Sequence, residues 1–216
     1  MGLDNFRDGD VEKMNSDEDV GEVQRLFPTT DLISDDEIVT GIEKFVDQKV
    51  PGYFWKAPAA STPKYHHELA TKHRGLWIHT LMVATSLEHQ KWTYMNMGKI
   101  SHHEMDCARA AVLLHDTLKY GDKYWDGKSA DHDHDMQAAN ATREIDELPE
   151  IVAECIESHM GPGDRYAGPD PRNHLEMMVH IADIFGSRNG NTPDIYKPPQ
   201  ELIDEHGSLP STTDIR

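Results

Sequence analysis

The apolar residues of this chain recur at helical spacing, and no segment alternates apolar and polar residues as a half-buried strand does. Ser34 and Glu37 form a capping-box pattern that predicts the start of a first helix, running to about residue 48. Its apolar positions share one face, and Pro51 ends it. The opening third of the chain therefore contributes a helix to the core.

Five further helices are predicted downstream from the same spacing. Their approximate ranges are 76–95, 103–116, 133–147, 149–159 and 173–185. Asn173 is the predicted N-cap of the last helix, and Gly186 is predicted to stop it. The pattern predicts an all-α bundle of about six helices over residues 31–190.

The two ends of the chain lack this periodicity. Residues 1–30 are acidic and poor in large apolar side chains, which is typical of a flexible tail. Residues 191–216 contain four prolines and are predicted to form a second, Pro-rich tail. The predicted organisation is one helical domain between two tails.

Charge and composition narrow the classes of partner. The 216 residues carry a formal net charge of −18, which disfavours binding to duplex nucleic acid or anionic membranes through side-chain charge alone. No apolar run reaches the roughly 18–20 residues of a membrane helix, and the start of the chain lacks the pattern of a secretory signal. Cys107 and Cys155 lie within apolar helical patterns, which favours reduced core thiols and predicts a cytoplasmic protein.

Several histidines and aspartates interrupt otherwise apolar stretches near predicted helix ends. The clearest are His79, the adjacent pair His115-Asp116, and Asp183. A carboxylate placed in a core needs a partner, and a divalent metal ion shared with imidazoles would supply one. For any one of these residues alone, a hydrogen-bonded core or capping role is the more common explanation. The set as a whole favours a metal site.

The order of these residues along the chain, H…HD…H…H…D, resembles the HD superfamily of metal-dependent phosphohydrolases. His115-Asp116-Thr117-Leu118-Lys119 is similar to its HD-x-x-K segment, although Leu118 replaces the usual small residue. The residues around His66-His67, Gly75-Leu76 and His79-Thr80 most resemble the HD domain of bacterial 3′–5′ exoribonucleases, whose OB-fold this chain lacks.

The resemblance implies specific roles. Its four core metal ligands match His79, His115, Asp116 and Asp183, and the two additional histidines of the binuclear branch match His134 and His159. Two divalent transition-metal ions (Mn, Fe, Co, Ni or Zn) would be shared through Asp116. Asp116 and Lys119 are the predicted catalytic residues. His66, His67 and Arg74 are the predicted substrate-binding residues.

The implied activity is a two-metal phosphodiesterase acting on nucleotides or short single-stranded nucleic acid. A nucleotide or deoxynucleotide phosphohydrolase with one metal is the alternative within enzymes. An HD scaffold that senses a nucleotide or docks a partner without turnover is the alternative of another class.

The sequence allows two interpretations for each of three features near the predicted site. Lys119 could contact phosphate or pair with a neighbouring acid. Trp125 and Tyr124 could stack on a base or seal their loop against the fold. Asp131 and Asp133 could orient His134 or lie in solvent.

Overall fold

A computed structural model of the protein describes residues 30–61, 64, 66–127, 130–161 and 166–188. The two predicted tails lie almost wholly outside these residues. Within them the chain forms six α-helices and three short 3₁₀ turns, with no strand, which confirms the predicted all-α class. The helices are α1 (Asp36–Lys49), α2 (Gly75–Asn96), α3 (His102–Leu114), α4 (His134–Arg143), α5 (Glu150–Glu157) and α6 (His174–Ser187). The 3₁₀ turns are Thr30–Leu32, Gly52–Trp55 and Glu68–Thr71.

Helix α3 is the centre of the bundle. It packs against α1, α2, α5 and α6, and every residue from Met105 to Leu114 is buried. Three tryptophans, Trp55, Trp77 and Trp125, are among the largest side chains of the surrounding core. A helix buried on all sides delivers the residues at its carboxyl end into the interior of the protein.

The start of α1 differs from the prediction. Asp35, not Ser34, is the N-cap, because its carboxylate accepts hydrogen bonds from the backbone N–H groups of Glu37 and Ile38. The backbone N–H of Ser34 donates instead to the Asp106 carboxylate at 3.0 Å, which ties this segment to α3. The predicted Asn173 cap of α6 is confirmed, since its side chain accepts from the N–H groups of Leu175 and Glu176.

The predicted role of Gly186 is wrong. Gly186 lies inside the last turn of α6, which continues to Ser187. A Cβ at this position would lie 2.8 Å from the backbone nitrogen of Val83 and 2.9 Å from its Cα. Gly186 therefore allows α6 and α2 to approach closely, rather than ending a helix.

Candidate metal centre

His115 and Asp116 directly follow α3. The last helical residue is Leu114, His115 is the C-cap, and both side chains of the pair are buried. The Thr117 hydroxyl donates to the Leu114 carbonyl at 2.7 Å, which caps the open end of the helix. The pair is therefore fixed in the core by the helix that carries it.

Three histidines share one local arrangement. Each imidazole Nδ1 lies at hydrogen-bond distance from the carbonyl three residues before it: Val112 for His115 (2.8 Å), Asp131 for His134 (2.7 Å) and Ile156 for His159 (2.7 Å). Because a carbonyl oxygen only accepts, Nδ1 must carry the proton. In the neutral ring Nε2 then offers a lone pair, which is the form that binds a metal.

A first group of ligand atoms surrounds the Nε2 atom of His79. It lies 3.3 Å from Asp116 Oδ2, 3.1 Å from Asp183 Oδ1 and 3.2 Å from the Nε2 atom of His115. The side chain of Asp183, from α6, is partly exposed, whereas the other three side chains are buried. His79, His115 and Asp116 together have the spacing of a metal-binding group.

A second group surrounds the other oxygen of the same carboxylate. His134 Nε2 lies 3.3 Å and His159 Nε2 lies 3.7 Å from Asp116 Oδ1. These three atoms are buried and make no hydrogen bond with the described residues. Buried polar atoms without partners are costly, and a cation would satisfy all three at once. The residues present therefore fit a metal ion, and Asp116 belongs to both groups.

The electrostatics of the centre keep both carboxylates ionised. Burial alone would raise the pKa of Asp116, but Lys119, His115, His134 and His159 together hold it well below its ordinary value. Burial likewise opposes ionisation of Asp183, but His79 outweighs it and the pKa is lowered.

The basic groups divide into neutral and charged forms. Burial lowers the pKa of His115 to about 3, which keeps its imidazole neutral. Burial acts in the same direction on Lys119, but Asp116 and Asp183 reverse it and raise the pKa of its ammonium. Lys119 Nζ donates to Asp116 Oδ2 at 2.5 Å, so the predicted ion pair with a neighbouring acid is present.

A cavity of about 210 Å³ opens onto the centre. Its walls include Asp116, Lys119, His134 and Asp183, together with small residues such as Ala59 and Ser61. Lys119 therefore pairs with Asp116 and also faces the space in which a ligand would lie. Tyr166 lines the same cavity and was not singled out by the sequence, because no motif or periodic pattern contains it. Met160, which directly follows His159, also lines the cavity.

The structure separates the three predicted substrate-binding residues. His66 lines the cavity, its ring centroid is 5.4 Å from that of His79, and burial lowers its pKa to about 3. The Nδ1 atom of His67 instead accepts from the Leu69 backbone N–H at 3.2 Å and caps the third 3₁₀ turn. Arg74 is the left-handed N-cap residue of α2, with φ 64°. Neither His67 nor Arg74 is among the described residues that line the cavity.

The burial of Trp125 and the exposure of Asp131 and Asp133 decide between the alternative roles that the sequence allowed for these residues. Trp125 is fully buried and its ring centroid is 5.4 Å from that of Tyr120, so it seals the loop and is not available to stack on a base. Tyr124 beside it is 62% exposed. The side chains of Asp131 and Asp133 are exposed, and it is the backbone carbonyl of Asp131, not a carboxylate, that orients His134.

A second constellation, Asp35, His103 and Cys107, superficially resembles a nucleophile with its base. Asp35 Oδ2 lies 3.3 Å from His103 Nδ1, and His103 Nε2 lies 3.7 Å from the Cys107 sulfur. However, burial and the neighbouring Asp106 raise the pKa of the Cys107 thiol to about 12, and its side chain is inaccessible. A nucleophilic cysteine needs a lowered pKa, so this group is structural. Both cysteines are free and buried, as the sequence predicted.

The fold and the site together define a helical bundle that gathers imidazoles and carboxylates from several helices into a centre that could hold a metal ion. The chain matches the HD domain family over residues 76–187, which is 112 of its 216 residues. The protein therefore belongs to the HD-domain family, whose members bind divalent metals and are usually hydrolases. No curated protein and no solved structure matched the chain. Among the described helices, none has the length and apolar character that crossing a bilayer requires.

Proposed function

We propose that this protein is a two-metal phosphodiesterase that hydrolyses phosphate esters in nucleotides or short single-stranded nucleic acid. The observation that carries the proposal is the division of Asp116 between two buried groups, Oδ2 beside His79 and His115, and Oδ1 beside His134 and His159. A carboxylate with one oxygen in each group suits a bridge between two ions. Asp183 would complete the first group.

Two divalent ions in this centre would supply Lewis acidity and an activated water at neutral pH. The chain contributes orientation, because His115, His134 and His159 are each fixed by a backbone carbonyl. Lys119 keeps its proton, since its pKa is raised, so it would act as a donor to a phosphoryl oxygen or to the leaving oxygen rather than as a base.

The charge of the site is consistent with an anionic substrate only when metal is bound. The cavity wall carries the carboxylates of Asp116 and Asp183 and the ammonium of Lys119, so the sum is negative. Two divalent cations would make the charge of the site positive, although the chain as a whole would stay acidic. The motif resemblance to exoribonuclease HD domains favours a phosphodiester as the substrate. The two free, buried thiols are compatible with a reducing, cytoplasmic environment.

The test combines metal analysis with hydrolysis of bis-(p-nitrophenyl) phosphate. The purified protein is stripped with a chelator, reloaded with Mn²⁺, and its ion content and turnover are measured. About two ions per chain with Mn²⁺-dependent turnover would support the proposal. About one ion, with turnover of nucleotides but not of the diester, would favour the one-metal nucleotide phosphohydrolase.

The comparison variant is Asp116→Ala, which removes both shared oxygens and should abolish ion binding and turnover. His102→Ala is the matched control, because His102 is an exposed histidine at the start of α3. Absence of both ion binding and turnover in the wild-type protein would leave the non-catalytic scaffold as the remaining alternative.

A further inference from the structure

Tyr166 lies on the wall of the same cavity as Asp116, Lys119 and His134. Its ring packs edge-on against the His134 imidazole, with centroids 5.7 Å apart and planes at 86°. The residue is half-buried, as expected for a side chain with one side on the protein and the other on an open cavity. Neither the H…HD…D pattern nor the metal groups give it a role.

The position of Tyr166 is fixed by an anchor two residues further along the chain. The Gly168 backbone N–H donates to Asp135 Oδ2 at 2.9 Å, and Asp135 is a fully buried residue next to His134. A Cβ on Gly168 would lie 1.7 Å from the Glu157 carbonyl oxygen, so only glycine lets the backbone pass this close to the end of α5. The segment is thus held against both α4 and α5.

Lys119 lies on the same wall as Tyr166. Its ammonium and the Tyr166 hydroxyl are close enough to interact electrostatically, and both residues line the cavity. The remaining wall includes Ala59, Ala60 and Ala130, whose side chains cannot form hydrogen bonds, and the shorter hydroxyl side chains of Ser61 and Ser187. The Tyr166 hydroxyl and the Lys119 ammonium thus provide two donors on long side chains in the wall of this cavity.

We propose that Tyr166 is a substrate-binding residue that, together with Lys119, donates hydrogen bonds to phosphoryl oxygens of the substrate. This inference rests on the proposed phosphoesterase function. A phosphodiester has two unesterified oxygens that carry its negative charge, and one that no cation holds needs a donor when water is excluded. The ligand class is a phosphate ester or, as product, inorganic phosphate.

The test uses Tyr166→Phe and Tyr166→Ala, with Tyr94→Phe as the matched control because Tyr94 lies on α2 and is not among the described residues that line the cavity. Binding of inorganic phosphate to the Mn²⁺-loaded full-length protein is measured by calorimetry, beside KM and kcat for bis-(p-nitrophenyl) phosphate. Loss of one hydrogen bond to a charged group should weaken phosphate binding and raise KM by roughly tenfold in both Tyr166 variants. Mn²⁺ content should stay at the wild-type level, and the control should behave as wild type.

Each other outcome overturns a defined part of the argument. Tyr166→Phe with unchanged phosphate binding would show that only the ring matters and would overturn the donor role. Reduced Mn²⁺ content in Tyr166→Phe would show that the residue acts on His134 instead of the substrate. A wild-type protein with neither bound Mn²⁺ nor turnover would overturn the proposed function and this inference together. If the wild-type protein is active, the Tyr166 variants test the role of Tyr166 separately from the proposed function.

Discussion

At the scale of single residues, Asp116 is the determinant of the centre. The two oxygens of Asp116 face different pairs of imidazoles, and the Lys119 ammonium donates a hydrogen bond to Oδ2. His115, His134 and His159 are each aligned by the backbone carbonyl of the residue three positions earlier rather than by a second carboxylate. The two groups are therefore coupled through one side chain but are oriented independently of one another.

Removing a histidine of one group should remove one ion. We expect His134→Ala to retain about one Mn²⁺ per chain and to lose at least a hundredfold in turnover of the diester, because the group around Asp116 Oδ1 loses a ligand while His79 and His115 remain. Elemental analysis after desalting measures this, with His102→Ala as the control. Two retained ions in His134→Ala would contradict the assignment of that residue as a ligand.

The thiols offer a second prediction at this scale. Burial raises the pKa of Cys107 to about 12 and also raises that of Cys155, so neither thiol ionises appreciably near neutral pH. We expect no reaction of the native protein with a disulfide reagent at pH 8, and reaction of both of its cysteines after denaturation in guanidinium. Rapid modification of the native protein would contradict the structural role of Cys107.

His79, His115, Asp116 and Asp183 could be selected from the sequence because each is a polar residue in an apolar stretch, whereas His134 and His159 could be selected only through the resemblance to the HD superfamily. The orientation of the imidazole rings could not be predicted. The group that orients His134 is a backbone carbonyl, which every residue has, so no residue type in the sequence indicates it. Tyr166 was missed for a related reason. It lies in an irregular segment, and its approach to His134 depends on a contact between Gly168 and Asp135 that no local pattern encodes.

At the scale of elements, the contact between α2 and α6 sets the geometry of the first ligand group. Gly186 touches the backbone of Val83, and one turn away on each helix His79 faces Asp183 at 3.1 Å. The close contact between Gly186 and Val83 and the candidate ligand pair His79 and Asp183 therefore join the same two helices. Their spacing and the ligand distance cannot change independently.

Gly186→Ala should separate these helices. The added Cβ would meet backbone atoms that cannot rotate away, so we expect destabilisation of about 1–3 kcal/mol and weaker Mn²⁺ binding. Urea unfolding and metal titration measure the two effects. Met177→Ala, an exposed position on the same helix, is the control. Wild-type affinity for Mn²⁺ in the glycine variant would show that the centre does not depend on this contact.

An ion pair between Glu88 on α2 and Arg109 on α3 should make the stability of the fold depend on pH. Burial opposes ionisation of Glu88, but hydrogen bonds from Arg109 and Lys91 outweigh it and lower its pKa. Because the folded-state pKa lies below the unfolded value, the stabilisation is complete above the unfolded pKa of about 4.3 and is lost as the pH falls through the folded value. Glu88→Gln should therefore cost about 1–2 kcal/mol at pH 7 and progressively less at acid pH.

The measurement for Glu88 is the free energy of unfolding in urea from pH 7 to pH 3. Glu43→Gln serves as the control, since Glu43 is an exposed carboxylate on α1. A difference between Glu88→Gln and wild type that stays constant over this range would contradict the pKa shift.

The helices themselves were predictable and their ends were less so. Apolar spacing located all six helices because burial of one face is what the pattern records. The ends depend on competition between neighbours, as where the Asp35 carboxylate caps α1 while the Ser34 backbone is engaged by Asp106. Helix α4 was predicted to about residue 147 but ends at Arg143, where Ile145 and Leu148 form successive turns that lead into α5.

At the scale of the whole molecule, the candidate ligands come from most of the helices of the bundle. His79 and Asp183 come from α2 and α6, and His115, His134 and His159 stand at the ends of α3, α4 and α5. Only α1, among the six described helices, contributes none. Metal binding should therefore stabilise the fold as a unit rather than one helix.

We expect Mn²⁺ at a hundredfold excess over its dissociation constant to stabilise the protein by about 2.7 kcal/mol, which corresponds to a rise in Tm of about 5–10 °C. Thermal unfolding followed by circular dichroism, with and without chelator, measures this. Asp116→Ala should show no response to Mn²⁺. An equal rise in that variant would indicate that the ion stabilises the protein at another position.

The wide separation of the ligands also has a consequence for the polymer chain. His79 and Asp183 are more than a hundred residues apart, so an ion held by the first group would act as a removable cross-link that closes a loop of this length. No short fragment of the chain can retain such a link while the rest unfolds. Global unfolding would then require release of the ion, so the folded protein should unfold more slowly with the ion bound than without it.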